Sequence, residues 1–369
     1  MSVSYSMFSI YEEIYHEVSS WNASSCYIPR FTIYELFSDD GETAQKFVAE
    51  YLRKLDKERI IKNSKDYLLD SFNSVHTLSA FFFGIFLKKA LNITMPRLPK
   101  MYERDENNFA YFWMLACLCH DVARSIEKSS IKSIEDFYTK NYIRYKFLCK
   151  TNDRKLFEAY LNYWISEERE DEQKADHGIL GAIILYDAMM KRFNNAKRSK
   201  CKKVDADGSG FTFGGLHFSE NFQNNMFMAA NSIAHHDIWR VNPNSTDERD
   251  KVRLKDYPGT ELECLIAKDD SCKIFIDKSS SIVKSDIDSG FLFLLALTDS
   301  LEPIKASDSR EISDIINTIK VSVLDNTITF ECGKYYNKFV ERVEGIENFL
   351  NVELEQLLDS RSIKVSILK

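Results

Sequence analysis

The chain has 369 residues, of which 44% are apolar, 13% aromatic and 28% charged; this is enough apolar material for a buried core and excludes a disordered or fibrous protein. Only 12 Gly and 6 Pro argue against a turn-dense all-β design and favour helix. Lys and Arg total 49 against 56 Asp and Glu, a net charge of -7, so no global field steers the chain toward a long polyanion.

Residues 1–65 read as a helical N-terminal region. Tyr5, Phe8, Tyr11 and Tyr15 begin it, Ser38–Gly41 forms an acidic turn, and Phe47, Val48, Tyr51, Leu52 and Leu55 recur at helical spacing over Glu42–Leu55. Residues 66–310 carry apolar positions at three-and-four spacing over 66–91, 108–128, 135–165, 174–194, 220–238 and 288–304, which predicts a helical bundle. Two polar stretches, Asn194–Gly215 and Asn242–Pro258, are expected to be surface excursions. The first holds Lys197, Arg198, Lys200, Lys202 and Lys203; it reads as a solvated loop and is also the best local candidate for contact with a phosphate chain. Residues 311–369 change character: Ile319–Leu324 and Thr327–Glu331 are β-branched runs around Asp325–Asn326, Tyr335–Leu358 is helical, and Ile363–Leu368 is strand-like. The expected fold class is therefore mainly α, a bundle with a small C-terminal ββαβ appendage that packs on the bundle or forms a homodimer.

Eight Cys include no C-x-x-C pair and read as reduced thiols of a cytoplasmic protein. The first residues lack a basic segment followed by an uninterrupted apolar one, so no signal peptide is expected. The longest apolar runs, Ala80–Leu87 and Gly290–Leu297, fall well short of the ~20 residues that span a bilayer. No membrane partner is expected.

The chemistry lies in the histidines. Of seven in the chain, five stand in apolar helix-like settings: His76 in SVHTLSAFFF, His120 in LACLCHDVAR, His177 in ADHGILGAII, and His235 with His236 in NSIAHHDIW. Asp121 follows His120, and Asp299 sits in FLFLLALTDSLEP with no basic residue within a turn of it. Imidazole and carboxylate together suit a hard-to-borderline divalent ion. Burying so many of them among apolar helices is costly unless something pairs with them, and a metal centre supplies that pairing. His16 and His217 lie outside this order and are expected to be bystanders.

The order His76, His120-Asp121, Asp299 resembles the signature of the HD superfamily of metal-dependent phosphohydrolases. His177 and His235-His236 resemble additions of its two-metal subgroup. DHGILGA at 176–182 is similar to a DHxxxGA segment of the HD nuclease domain of the CRISPR helicase-nuclease, and IAHHD at 233–237 to that group's A-HHG segment; HD-GYP phosphodiesterases share a related order. The sequence departs from these patterns in three places: Arg124 stands where the family often has the Lys of HDxGK, Asp237 replaces a Gly, and the GYP signature is absent.

The resemblance implies two divalent ions, drawn from Mn, Fe, Ni, Co, Mg or Zn. His76, His120, Asp121 and Asp299 would hold one, Asp121, His177, His235 and His236 the other, with Asp121 as the bridge. It implies hydrolysis by a metal-activated hydroxide, with Arg124 as a phosphate clamp and Asp176 or Asp237 orienting imidazoles or handling a proton. The substrate class is a nucleotide, a cyclic or short oligonucleotide, or single-stranded nucleic acid, and the negative charge favours the smaller ones. Two alternatives remain open. One is a di-iron oxygenase resembling inositol oxygenase, and the other a non-catalytic regulatory protein with a structural metal.

Overall fold

The computed structural model describes residues 4–19, 31–53, 70–93, 95, 98, 100–102, 108–124, 177–214, 216–236, 289–307, 310–340 and 364–369. The helix expected at 135–165, the polar stretch Asn242–Pro258 and most of Tyr335–Leu358 fall outside these residues.

Strand β1 (Tyr5–Ser6) leads into α1 (Met7–Ser19), followed by α2 (Ile33–Leu36) and α3 (Glu42–Arg53). A reciprocal pair of bonds starts α2: the Thr32 side chain accepts from the Glu35 amide, and the Glu35 carboxylate accepts from the Thr32 amide. The next two helices, α4 (Ser71–Ala90) and α5 (Phe109–Cys119), are capped by Asp70 and Asn108, whose side chains accept from Asn73 N at 3.0 Å and Tyr111 N at 2.9 Å. Every residue of α5 is buried, so it forms the axis of the bundle rather than an amphipathic wall. Helix α4 closes on it where Gly84 leaves room for the Trp113 ring; a Cβ at Gly84 would lie 2.1 Å from that ring. The Trp113 indole donates to the Phe81 carbonyl at 3.1 Å.

Helices α6 (His177–Arg198), α7 (Phe222–His235) and α8 (Ser289–Leu301) complete the packing around α5. After them come α9 (Pro303–Ser307) and α10 (Ile312–Thr318). Among the described residues the protein is mostly helical with small sheets, and no described helix is long and apolar enough to cross a membrane.

Between α6 and α7 the structure differs from the expected surface loop. Strands β2 (Lys203–Val204), β3 (Gly210–Phe213) and β4 (Leu216–Ser219) form an antiparallel sheet. Phe211 and Phe218 stack on each other and pack on Phe193 of α6, while Phe222 of α7 stacks on Phe193. This buried aromatic cluster, with Arg192 over the Phe218 ring, ties the excursion to the bundle.

Strands β5 (Lys320–Leu324) and β6 (Thr327–Glu331) form the hairpin expected from the β-branched runs. Asp325 and Asn326 both take positive φ, the two-residue turn whose twist matches the flanking strands. Strand β7 (Lys364–Leu368) lies parallel to β6, and β1 pairs antiparallel with β5, giving the order β1-β5-β6-β7. The N-terminal strand thus joins the C-terminal ones in one sheet.

Candidate metal centre

Two helix ends aim imidazoles at a common point. His120 follows the last turn of α5, and its Nδ1 donates at 2.8 Å to the Cys117 carbonyl, one of the oxygens a helix C-terminus leaves without an amide partner. His236 does the same at the end of α7, with Nδ1 donating to the Ile233 carbonyl at 2.7 Å. A carbonyl only accepts, so a proton sits on Nδ1 in each case, and the neutral ring then turns Nε2 inward as a lone pair available to a metal. The helix C-termini also carry partial negative charge, which favours a cation between them.

His76, in the second turn of α4, is oriented by a carboxylate instead. Its Nδ1 lies 2.6 Å from Oε1 of Glu302, and its Nε2 lies 3.2 Å from Nε2 of His120. When both rings are neutral and protonated on Nδ1, two lone pairs face one another at that distance, and a proton or a metal cation beside them relieves their repulsion. Burial opposes a cationic His76, yet Glu302 and Asp299 raise its pKa; the position attracts positive charge.

The carboxylates complete two overlapping groups. Ligand atoms of His76, His120, Asp121 and Asp299 all lie within 4.8 Å of one another, as do those of Asp121, His177 and His236, and all these residues are buried. Donors ~2.1 Å from a common ion stand no more than ~4.2 Å apart, and the separations within the groups, from 3.1 Å for His177–Asp121 to 3.7 Å for His76–Asp121, lie inside that limit. Asp121 belongs to both. Its Oδ1 is 3.1 Å from His177 Nε2 and its Oδ2 is 3.7 Å from His76 Nε2. Burial opposes its charge, but the Lys305 ammonium and the adjacent imidazoles hold its carboxyl well below the ordinary range. Burial pushes the thiols of Cys117 and Cys119 up, and neither belongs to the described ligand groups.

Glycine decides how close α6 can come. Gly181, one turn after His177, faces the backbone at the end of α5, where a Cβ would stand 2.3 Å from the Cys119 carbonyl oxygen. The missing side chain lets α6 approach the backbone that carries His120 and Asp121.

Of the expected site residues, the structure brings together His76, His120, Asp121, His177, His236 and Asp299. His235 ends α7, and its side chain falls outside what is described. Asp176 and Asp237 also lie outside the described residues. Arg124 is at the centre, half-exposed, with Nε 2.8 Å from Asp121 Oδ1. His217 is bonded to Asp205 at 2.8 Å on the small sheet, and neither it nor His16 belongs to the described ligand groups. Comparison with protein-family models, curated proteins and solved structures returns no match. The geometry of the centre therefore stands by itself.

Two residues at the centre were not singled out in the sequence. Glu302 accepts from His76, from Ser79 Oγ at 2.5 Å, and from the amides of Ile304 at 3.0 Å and Lys305 at 2.6 Å. It thereby caps α9 and fixes the His76 ring with one carboxylate. No basic residue stands within a turn of Asp299, yet Lys305, six positions on, is brought back to it: its ammonium contacts Asp299 and lies 3.4 Å from Asp121 Oδ2. Pro303 opens a new helix after Leu301, and the chain turns Lys305 back toward the centre.

Burial opposes the Glu302 charge, but His76 and the donated hydrogen bonds hold its pKa below the ordinary 4.5. Its folded value is lowered, so the charge contributes stability that is complete above pH 4.5 and is lost as the pH falls through the lower folded value. Glu302→Gln should reduce metal affinity by ~10–100-fold, the usual effect of releasing a ligand imidazole from its carboxylate. Thermal melts in chelator should show a smaller acid-side loss of stability in that variant than in the parent. Unchanged metal titrations would remove Glu302 from this role.

Proposed function

We propose that the chain is a metal-dependent phosphohydrolase or phosphodiesterase of the HD superfamily, acting on a nucleotide, a cyclic or short oligonucleotide, or single-stranded nucleic acid. On this reading α4 to α8 form the HD bundle, and β5, β6 and β7 belong to its C-terminal appendage. The observation that carries it is convergence: six residues of the family order, His76, His120, Asp121, His177, His236 and Asp299, meet in one buried shell although they come from five helices or their ends. Such a pair of divalent ions, when bound, makes water nucleophilic near neutral pH and neutralises charge gathering on phosphate oxygens.

The chain's own groups divide the remaining work. Asp121 ties the two ligand groups together. The Nδ1 bonds of His120 and His236 keep both rings from turning, and Glu302 does so for His76. Charge arithmetic favours an anionic substrate. Among the described groups at the centre, Asp121, Asp299 and Glu302 face Lys305 and Arg124, leaving one net negative charge. Two divalent ions would turn that into an excess of three positive charges in a largely dry site, and an anion relieves it. Arg124, half-exposed beside Asp121, is set to reach a phosphate oxygen. A guanidinium at this place favours phosphate chemistry over the oxygenase alternative.

The test is metal analysis of protein purified without added metal, followed by assay on bis(p-nitrophenyl) phosphate and a nucleotide panel. Two equivalents of metal with turnover of a phosphate ester are expected. Two irons with oxygen consumption and no ester hydrolysis would select the oxygenase, and bound metal with neither activity would select the non-catalytic alternative. Arg124→Ala should keep its metal content and lose about tenfold to hundredfold in kcat/KM, the worth of one charged hydrogen bond to phosphate.

A further inference from the structure

Among the described residues, Lys305 is the more buried of the Lys and Arg side chains at the centre. Its ammonium touches Asp299 and lies 3.4 Å from Asp121 Oδ2, so it spans the carboxylates of the first ligand group and the one shared with the second. Its side chain is 17% exposed, whereas those of Asp121 and Asp299 are 3% exposed, so part of the lysine borders solvent while the carboxylates do not. Its backbone amide is anchored on Glu302 at 2.6 Å. The main chain is held, and a lysine's four-carbon stem is flexible enough to turn about it. The same carboxylate oxygens are the ones a divalent ion would use, and an ammonium and a divalent ion a few ångströms apart repel each other.

We propose that Lys305 is a built-in counter-ion that competes with metal for Asp121 and Asp299 and, when metal displaces it, swings outward to bind a phosphate oxygen of the substrate. The second half rests on the reading given under Proposed function; the first half does not. Lys305 then has two effects of opposite sign. It weakens metal binding in the absence of substrate and strengthens substrate binding once metal is in place. A purely structural lysine would do neither, because damage to the fold lowers metal affinity.

The experiment uses the full-length protein and its Lys305→Met and Lys305→Arg variants. Mn2+ affinity is measured by chelator competition without substrate, and hydrolysis is measured with bis(p-nitrophenyl) phosphate. Lys305→Met should bind Mn2+ at least about tenfold more tightly than the parent, and Lys305→Arg, which keeps the charge, should stay within about threefold. In hydrolysis, Lys305→Met should raise KM by about tenfold or more with a smaller change in kcat. Unchanged or weaker Mn2+ binding in Lys305→Met, with Lys305→Arg folded and parent-like, overturns the competition. Tighter Mn2+ with unaltered KM overturns the substrate role. A parent that hydrolyses no phosphate ester overturns the proposed function and the substrate role with it, and the metal competition is still decided by the titration.

Discussion

Asp121→Ala is expected to strip metal from both ligand groups at once, whereas His177→Ala should deplete one. Asp121 is the only residue common to the two described groups, and a direct ligand counts for more than the outer partners whose loss costs ~10–100-fold in affinity. The expected loss therefore exceeds ~100-fold at each group, and phosphoesterase turnover should disappear with it. Metal content by plasma emission after gel filtration checks the prediction, with Asp121→Asn as a control of nearly the same volume. A variant that retained two metals and near-parental hydrolysis would sink the dinuclear reading.

Gly181→Ala is the second large effect, and it arises from packing. A methyl group 2.3 Å from the Cys119 carbonyl oxygen cannot be absorbed by turning a side chain, because the obstacle is backbone. Helix α6 must move away from the end of α5. Overpacking of this kind costs about 3 kcal/mol at the upper end of its usual range, a fall in Tm of roughly 5 °C or more. The shift also separates His177 from Asp121, now 3.1 Å apart, so metal affinity should fall in the same variant. Melting within a degree of the parent would show that the contact relaxes freely.

The candidate ligands were legible because each stands out against its own surroundings. A histidine in an apolar helix, or Asp299 after eight nearly unbroken apolar residues, is expensive without a partner, and that expense is visible locally. Glu302 and Lys305 were not legible for the opposite reason: a Glu and a Lys after a helix are ordinary surface residues until the fold sets them against His76 and Asp121, 226 and 184 positions away. The hairpin at β5 and β6 carried its own signature of β-branched runs around two turn residues. Strand β1 has two residues and no pattern, and it becomes a strand only because β5 offers an edge. The sheet of β2, β3 and β4 was hidden by glycines and lysines, since what holds it is Phe211 and Phe218 reaching the separate helices α6 and α7.

Helix α5 bears on how such a centre is filled and emptied. All of its residues are buried, so its amides should exchange with deuterium only when the whole bundle opens. His120 and Asp121 hang from the end of this slowest-opening element. A chelator that drew out the ions would leave the ligand cage standing, and added metal should restore it within mixing time, without a refolding step.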